Sequence, residues 1–381
     1  PSPLVEQLTD PPPRPLPPPD PVIQPPRRVP NARRTFWVAD SATGGLRQVT
    51  ARLRVQTDHT ALWVEQGLWH DVRTLEAAAE RFQTGVYSPT RAIFGSEWSP
   101  GIDGDPRIQI LHSVGAGDGV QGYASTRDEY PISVNPRSNQ AELIVVNTDE
   151  LEVGSPSYQA LLARALTRLI LWHQDRNETS WVREGLVELG AALAGADTET
   201  IKAAYARQPD LGLAHWENTD AQRGASYLLM TYLRQRFGDD GVRALSAEPA
   251  NGAAGFNVAL ETLDSELSFD RLFADWLEAT YLMSVGERDA VLSGYAEHGL
   301  PPLDFSAVYT TYPVTSATSV NQLGADAVLL RGGQDLTVTF EATMATPLFT
   351  ETVAVDRLSW WPNRAAECLS VLTRTVNLEA V

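Results

Sequence analysis

The sequence predicts an α+β fold, and three stretches carry that expectation. From Phe36 to about Gly67 apolar and polar residues alternate (FWVAD, RQVTARLRVQ, ALWVEQ), which is the period of half-buried strands. Residues 157–174, 180–195, 219–236, 239–247, 252–262 and 268–283 carry apolar residues at helical spacing. After Pro301 the chain returns to short β-type runs: AVLLR, DLTVTFEA, TETVAV and LSVLTRTVNL. A length of 381 residues exceeds what one hydrophobic core ordinarily holds. The expected organisation is a proline-rich arm over 1–35, a main domain over 36–300 and a small β-sandwich-like domain over 301–381. Within the main domain, 36–150 reads as a mixed subdomain and 151–300 as a helical one.

Taken in order, the arm (PPPRPLPPPDP, then QPPRRVP) cannot join a core, because proline lacks a backbone donor and fixes φ. It reads as a spacer, or as an arm laid along a partner, and Arg27, Arg28, Arg33 and Arg34 read as solvated charges on it. The last two of the early strands form a hairpin around Thr57–Thr60, and residues 70–89 read as a helix. RIQILHSV and ELIVVN are short apolar runs bounded by turn residues, the pattern of buried strands. Between them GAGDGVQGYASTRDEYP reads as a glycine-rich surface loop with no dinucleotide or Walker fingerprint. Asp103-Gly104-Asp105 lacks the remaining ligands of a calcium loop and reads as a tight turn before a strand.

With 48 acidic and 30 basic side chains the net charge is -18, a field that repels phosphate backbones and anionic head groups. Nucleic acid is therefore not an expected partner. One cysteine, Cys368, allows neither an intrachain disulfide nor a cysteine zinc knuckle. No apolar run approaches the roughly 20 residues needed to span a bilayer. Beginning at Pro1 without a signal peptide, the chain reads as a processed mature form, which points to an extracytoplasmic location. The six histidines show no H-x-x-x-H spacing, and no G-x-S-x-G motif offers a nucleophilic serine. Asn177-Glu178-Thr179 is the single glycosylation triplet.

The segment 160–193, ALLARALTRLILWHQDRNETSWVREGLVELGAAL, is the most informative. Trp181-Val182-Arg183-Glu184-Gly185-Leu186-Val187-Glu188-Leu189 resembles the second helix of the HExxH zinc metallopeptidases of gluzincin type, of immune-inhibitor-A or hyicolysin-like kind. Leu169–Asp175 is similar to the end of their first helix. FGSEWSPGIDGDPRIQIL, GYASTRDEYP, FDRLFADWLEATYL and GADAVLLRGGQDLTVTF also look like segments of that family, so the similarity covers most of 36–381. It implies a zincin-like domain, with Gly122-Tyr123-Ala124 beside a substrate cleft.

Aligned through Trp172 and Trp181, the HExxH positions fall on Arg164, Ala165, Leu166, Thr167 and Arg168, and the third-ligand position on Glu184. Catalytic zinc takes about three protein ligands plus an open water position. Guanidiniums offer no lone pair and remain charged, and Ala165 cannot act as a base. The resemblance thus implies a degenerate, non-catalytic member with no metal and no cofactor. Arg164 and Arg168 lie one helical turn apart, so Arg168, alone or together with Arg164, pairs with Glu184 across the former cleft, or both face solvent. The expected role is an extracytoplasmic binding or scaffolding subunit of a larger assembly. Its partner surfaces would be the arm, the former cleft or a C-terminal β edge such as LTVTFE. Alternatives are peptide or glycan binding in the cleft without cleavage, and a relocated metal site built from His173, Glu184 and Glu188.

Overall fold

A computed structural model describes residues 31–284, 300–331, 337–339, 348–355 and 367–374. It shows an α+β protein that divides into two compact units. The first comprises the described residues up to Asn177 together with Val187–Ala196, and the second comprises Glu178–Leu186 and the described residues from Asp197 onward. Among the described residues no helix is long and apolar enough to cross a membrane.

The first unit is built on a six-stranded sheet in the order β1-β2-β3-β4-β6-β5. Its strands are β1 (Arg33–Asp40), β2 (Gly45–Gln56), β3 (Thr60–Glu65), β4 (Ile108–Ser113), β5 (Gly122–Ala124) and β6 (Leu143–Asn147). β1–β2–β3 pair antiparallel, β3–β4–β6 parallel, and β5 closes the far edge antiparallel to β6. The hairpin expected at Thr57–Thr60 is present, closed by the Thr57 amide on the Thr60 carbonyl at 2.9 Å. β4 and β6 are buried along their whole length, which is why they read as unbroken apolar runs and not as alternating ones. Phe36, Val49, Leu53, Trp63, Leu111 and Val145 belong to the core on one face of this sheet.

Helix α1 (Val72–Phe82) starts at Asp71, whose carboxylate accepts from the Thr74 amide. The helix expected over 70–89 runs on past that limit. A π-helical turn at Gln83–Tyr87 leads straight into α2 (Ser88–Phe94), and Pro89 is tolerated because it stands in the first turn of that new segment. Helix α3 (Pro156–Gln174) has Ser155 as N-cap and Pro156 in its first turn. It packs on β5 and β6 and so belongs with the sheet in the first unit. Helix α4 (Ser180–Leu193) gives its N-terminal turns to the second unit and its C-terminal half to the first.

The first thirty residues, and with them most of the expected proline-rich arm, lie outside the described residues. Its last positions need correction: Arg33 and Arg34 belong not to a linker but to the start of β1, where Arg33 is exposed and Arg34 half-buried. The Arg34 guanidinium donates to the Asn139 carbonyl at 2.5 Å and to Asp103 at 3.4 Å. The glycine-rich segment is also more than a surface loop. Gly122–Ala124 forms β5, the Tyr123 hydroxyl accepts from the Ala39 amide at 2.7 Å, and Arg127, Asp128 and Glu129 are buried in a 3-10 turn. Asp103-Gly104-Asp105 is the expected tight turn, with Asp103 accepting from the Asp105 amide at 3.0 Å.

The second unit contains α5 (Glu199–Ala206), α6 (Asp220–Ser246), α7 (Gly252–Thr262) and α8 (Phe269–Ser284). The two helices expected over 219–236 and 239–247 are one run broken at Gly238, whose φ of 69° glycine adopts without strain. Thr219 and Gln222 cap its start reciprocally in a capping box. Trp181, Phe256, Phe269, Phe273 and Trp276 interlock as a chain of rings 5.0–5.8 Å apart. β7 (Ala307–Tyr309), β8 (Gly324–Arg331), β9 (Leu348–Val355) and β10 (Glu367–Arg374) form one four-stranded sheet in the order β7-β8-β10-β9. A second sheet, which a sandwich would require, is not among the described residues. Of the expected edge strand LTVTFE, residues 337–339 are described and are not in a strand; the remainder lies outside the described residues.

Candidate functional site

The face that α3 turns toward the second half of α4 carries the residues singled out by sequence. Arg164 donates through Nε and Nη2 to the Oε2 of Glu188, at 3.0 and 2.8 Å. Glu188 is fully buried and Arg164 partly so. The carboxylate that Arg164 meets is thus Glu188, one turn beyond the expected Glu184. The helix period accounts for the difference, since residues four apart on α4 lie on the same face. Glu184 falls in the second unit, where Arg183 Nε stands 3.4 Å from its Oε1. Arg168 is half-buried, one turn after Arg164, and Ala165 is buried. Thr167 and Leu171, three and seven residues after Arg164, are buried as well.

Close approach of the two helices depends on Gly190. A Cβ there would stand 2.3 Å from the Thr167 hydroxyl, which donates to the Ala163 carbonyl at 2.8 Å and cannot easily swing away. Gly190→Ala is expected to lower stability by about 1–3 kcal/mol through overpacking, measured by urea denaturation. An unchanged midpoint would show that the helices separate freely.

The side chains of Arg164, Ala165 and Arg168 present no lone pair for a cation, so these three positions do not fit zinc. His173, offered as part of a relocated site, is exposed at the end of α3, and Glu188 is engaged by Arg164. Among the described residues no group of three or more His, Cys, Asp or Glu is placed to hold a metal ion.

Sequence reasoning missed a second polar assembly inside the first unit. Glu129 and Glu142 are buried neighbours, and Glu129 Oε2 and Glu142 Oε1 lack hydrogen-bond partners. Burial raises both, Glu129 to about 8; the nearby charges of Asp128 and Asp103 act in the same direction on Glu129, and those of Glu129 and Asp103 on Glu142. At neutral pH the pair therefore retains a proton. Asp128 is buried too, and its carboxylate accepts from the Asn139 amide and side chain, both at 2.9 Å. Room for Glu142 comes from Gly101, at φ 72°, where any Cβ would overlap the carboxyl group. Deeper still, His112 bridges the Trp63 carbonyl at 2.9 Å and the Tyr158 hydroxyl at 3.0 Å. Burial lowers its pKa to about 4, so it is neutral, with Nδ1 donating to the carbonyl and Nε2 accepting from the hydroxyl. One sequence signal was available: Glu142 directly precedes the apolar run Leu143–Val146, where solvated charges are uncommon.

Scanned against protein-family models the chain matches none, and a search of the curated proteins finds no match.

Proposed function

We propose that this chain is a non-catalytic relative of the gluzincin-type metallopeptidases, acting as an extracytoplasmic binding or scaffolding subunit of a larger assembly. The observation that carries the reading is the Arg164–Glu188 pair. A guanidinium bound to a buried carboxylate occupies the position where the resemblance puts the first zinc ligand. Hydrolysis of this type needs a metal-activated water and a base beside it, and a cation on Arg164 with a methyl group on Ala165 supplies neither. The binding role is supported by β5, which stands at the sheet edge beside α3. An edge strand is a common seat for an extended segment of another chain.

The test is metal content by mass spectrometry after zinc loading and dialysis, paired with hydrolysis of an unstructured protein substrate. Substoichiometric zinc and no chelator-sensitive cleavage are expected. The triple variant R164H/A165E/R168H, which restores two imidazoles one helical turn apart, is expected to bind more zinc than the parent chain. Tightly held zinc in the unaltered chain, or cleavage abolished by a chelator, would overturn the proposal.

A further inference from the structure

The segments that follow β3 and β6 and lead toward α1 and α3 form an open pocket of about 550 Å³. It lies beyond the carboxyl ends of parallel strands, the region where α/β sheets commonly place ligand sites. Trp69 stands in its wall 84% exposed, an unusual degree for so large an aromatic side chain. Four carboxylates line it: Asp71, Asp149, Glu150 and Glu152. Leu75 and Leu151 are buried and give it an apolar floor.

The acidic side is held in place by the backbone. Thr148 donates through its amide and its hydroxyl to the Ser113 carbonyl, at 2.8 and 3.2 Å, and Asp149 accepts from the Gly115 amide at 3.1 Å. On the opposite wall, Oδ2 of Asp71 accepts from the Thr74 amide and hydroxyl, at 3.2 and 3.1 Å. Glu150 and Glu152 are exposed. Basic groups nearby offset part of this charge: Arg81 passes Gly154 at the rim, and Arg54 acts on His70 from nearby. Burial and Arg54 lower the His70 pKa, so that ring adds no positive charge at neutral pH. The lining therefore keeps an acidic excess beside an exposed indole.

We propose that this pocket binds an arginine side chain of an extended peptide, its guanidinium stacked on Trp69 and its N–H groups directed at Glu150 and Glu152. A planar cation satisfies both features of the lining, through cation–π attraction to the ring and charge-assisted hydrogen bonds to the carboxylates. Anionic ligands are repelled here, and a neutral side chain gains only the stacking. The inference goes beyond the proposed function, which concerns the α3–α4 face, and either can stand without the other.

The experiment is calorimetric titration of the full chain with the tripeptide amide acetyl-Ala-Arg-Ala and with its citrulline counterpart, at low salt. Citrulline keeps the shape and planarity and removes the charge. Saturable one-to-one binding of the arginine peptide is expected, with the citrulline peptide weaker by about tenfold or more. Trp69→Ala and the pair E150Q/E152Q are each expected to weaken the arginine peptide by about tenfold. All three positions are exposed, so circular dichroism should be unchanged. Equal affinity for the two peptides, no measurable binding of the arginine peptide, or undiminished binding by the Trp69→Ala variant would overturn the proposal. Loss in E150Q/E152Q alone would do so too, because it would mark diffuse electrostatic attraction and not a built site.

Discussion

Replacing Arg164 with methionine is expected to destabilise the protein by about 2–4 kcal/mol, because Glu188 keeps its burial but loses the two hydrogen bonds and the charge that Arg164 supplies. The lower end allows for Arg164 being 22% exposed in its side chain, which screens part of the attraction. Methionine preserves most of the aliphatic volume, so the change reports on charge and hydrogen bonding more than on packing. The companion variant Glu188→Met alone strands the guanidinium, which can still reach water, and should be milder. The double variant R164M/E188M removes the buried charge altogether. It is expected to recover to within about 1–2 kcal/mol of the parent chain, since buried ion pairs are often no better than apolar residues of similar size. Urea denaturation of all four proteins closes the cycle. Additive effects of the two single changes would mean that the residues do not interact, and the assignment of Arg164 to Glu188 would fail.

That pair also shows how far the sequence reached. The helix period placed Arg164 and Arg168 one turn apart on α3, and the structure shows Arg164 turned toward α4. Periodicity alone cannot set the register between two helices, which here depends on Thr167 seating against Gly190. For Arg164 the result was the right face and a carboxylate, Glu188, one turn beyond Glu184. Strands were legible where pattern and burial agree, as in β1 to β4 and β6. β5 was not legible, because three residues are too few to show a period and its surroundings are rich in glycine. Helix α5 was missed for a similar reason, being eight residues long. The buried acids were hidden by a different physics. A carboxyl group that keeps its proton behaves as a neutral polar group, whereas reading charge from sequence assumes every Asp and Glu is ionised.

That protonation makes the stability of the protein depend on pH in a direction opposite to ordinary carboxylates. With Glu129 raised from 4.5 to about 8, the folded state binds more protons than the unfolded state between those values. Its contribution is fully present below about 4.5 and is lost as pH rises through about 8, on the order of 3–5 kcal/mol over the range. Glu142, raised by burial and by its neighbour, acts in the same sense, and Arg176 moderates the effect on Glu129. His112 has the opposite sign: lowered from 6.5 to about 4, it contributes stability above about 6.5 that is lost as pH falls through about 4, roughly 3 kcal/mol. His70 and His173, both lowered, act in the same direction as His112. Between about 4.5 and 6.5 the two influences oppose each other, which leaves the interval from 6.5 to 8.5 to the carboxyl pair. Urea denaturation is therefore expected to show stability falling as pH rises from 6.5 to 8.5. Glu129→Gln, a neutral group of the same shape, should flatten that slope while leaving the decline near pH 4 in place. A parent chain whose stability is level or rising over 6.5 to 8.5 would mean that the pair is ionised at neutral pH and reaches water or a cation, and a Glu129→Gln variant with an unaltered slope would mean that Glu129 is not the group that holds the proton.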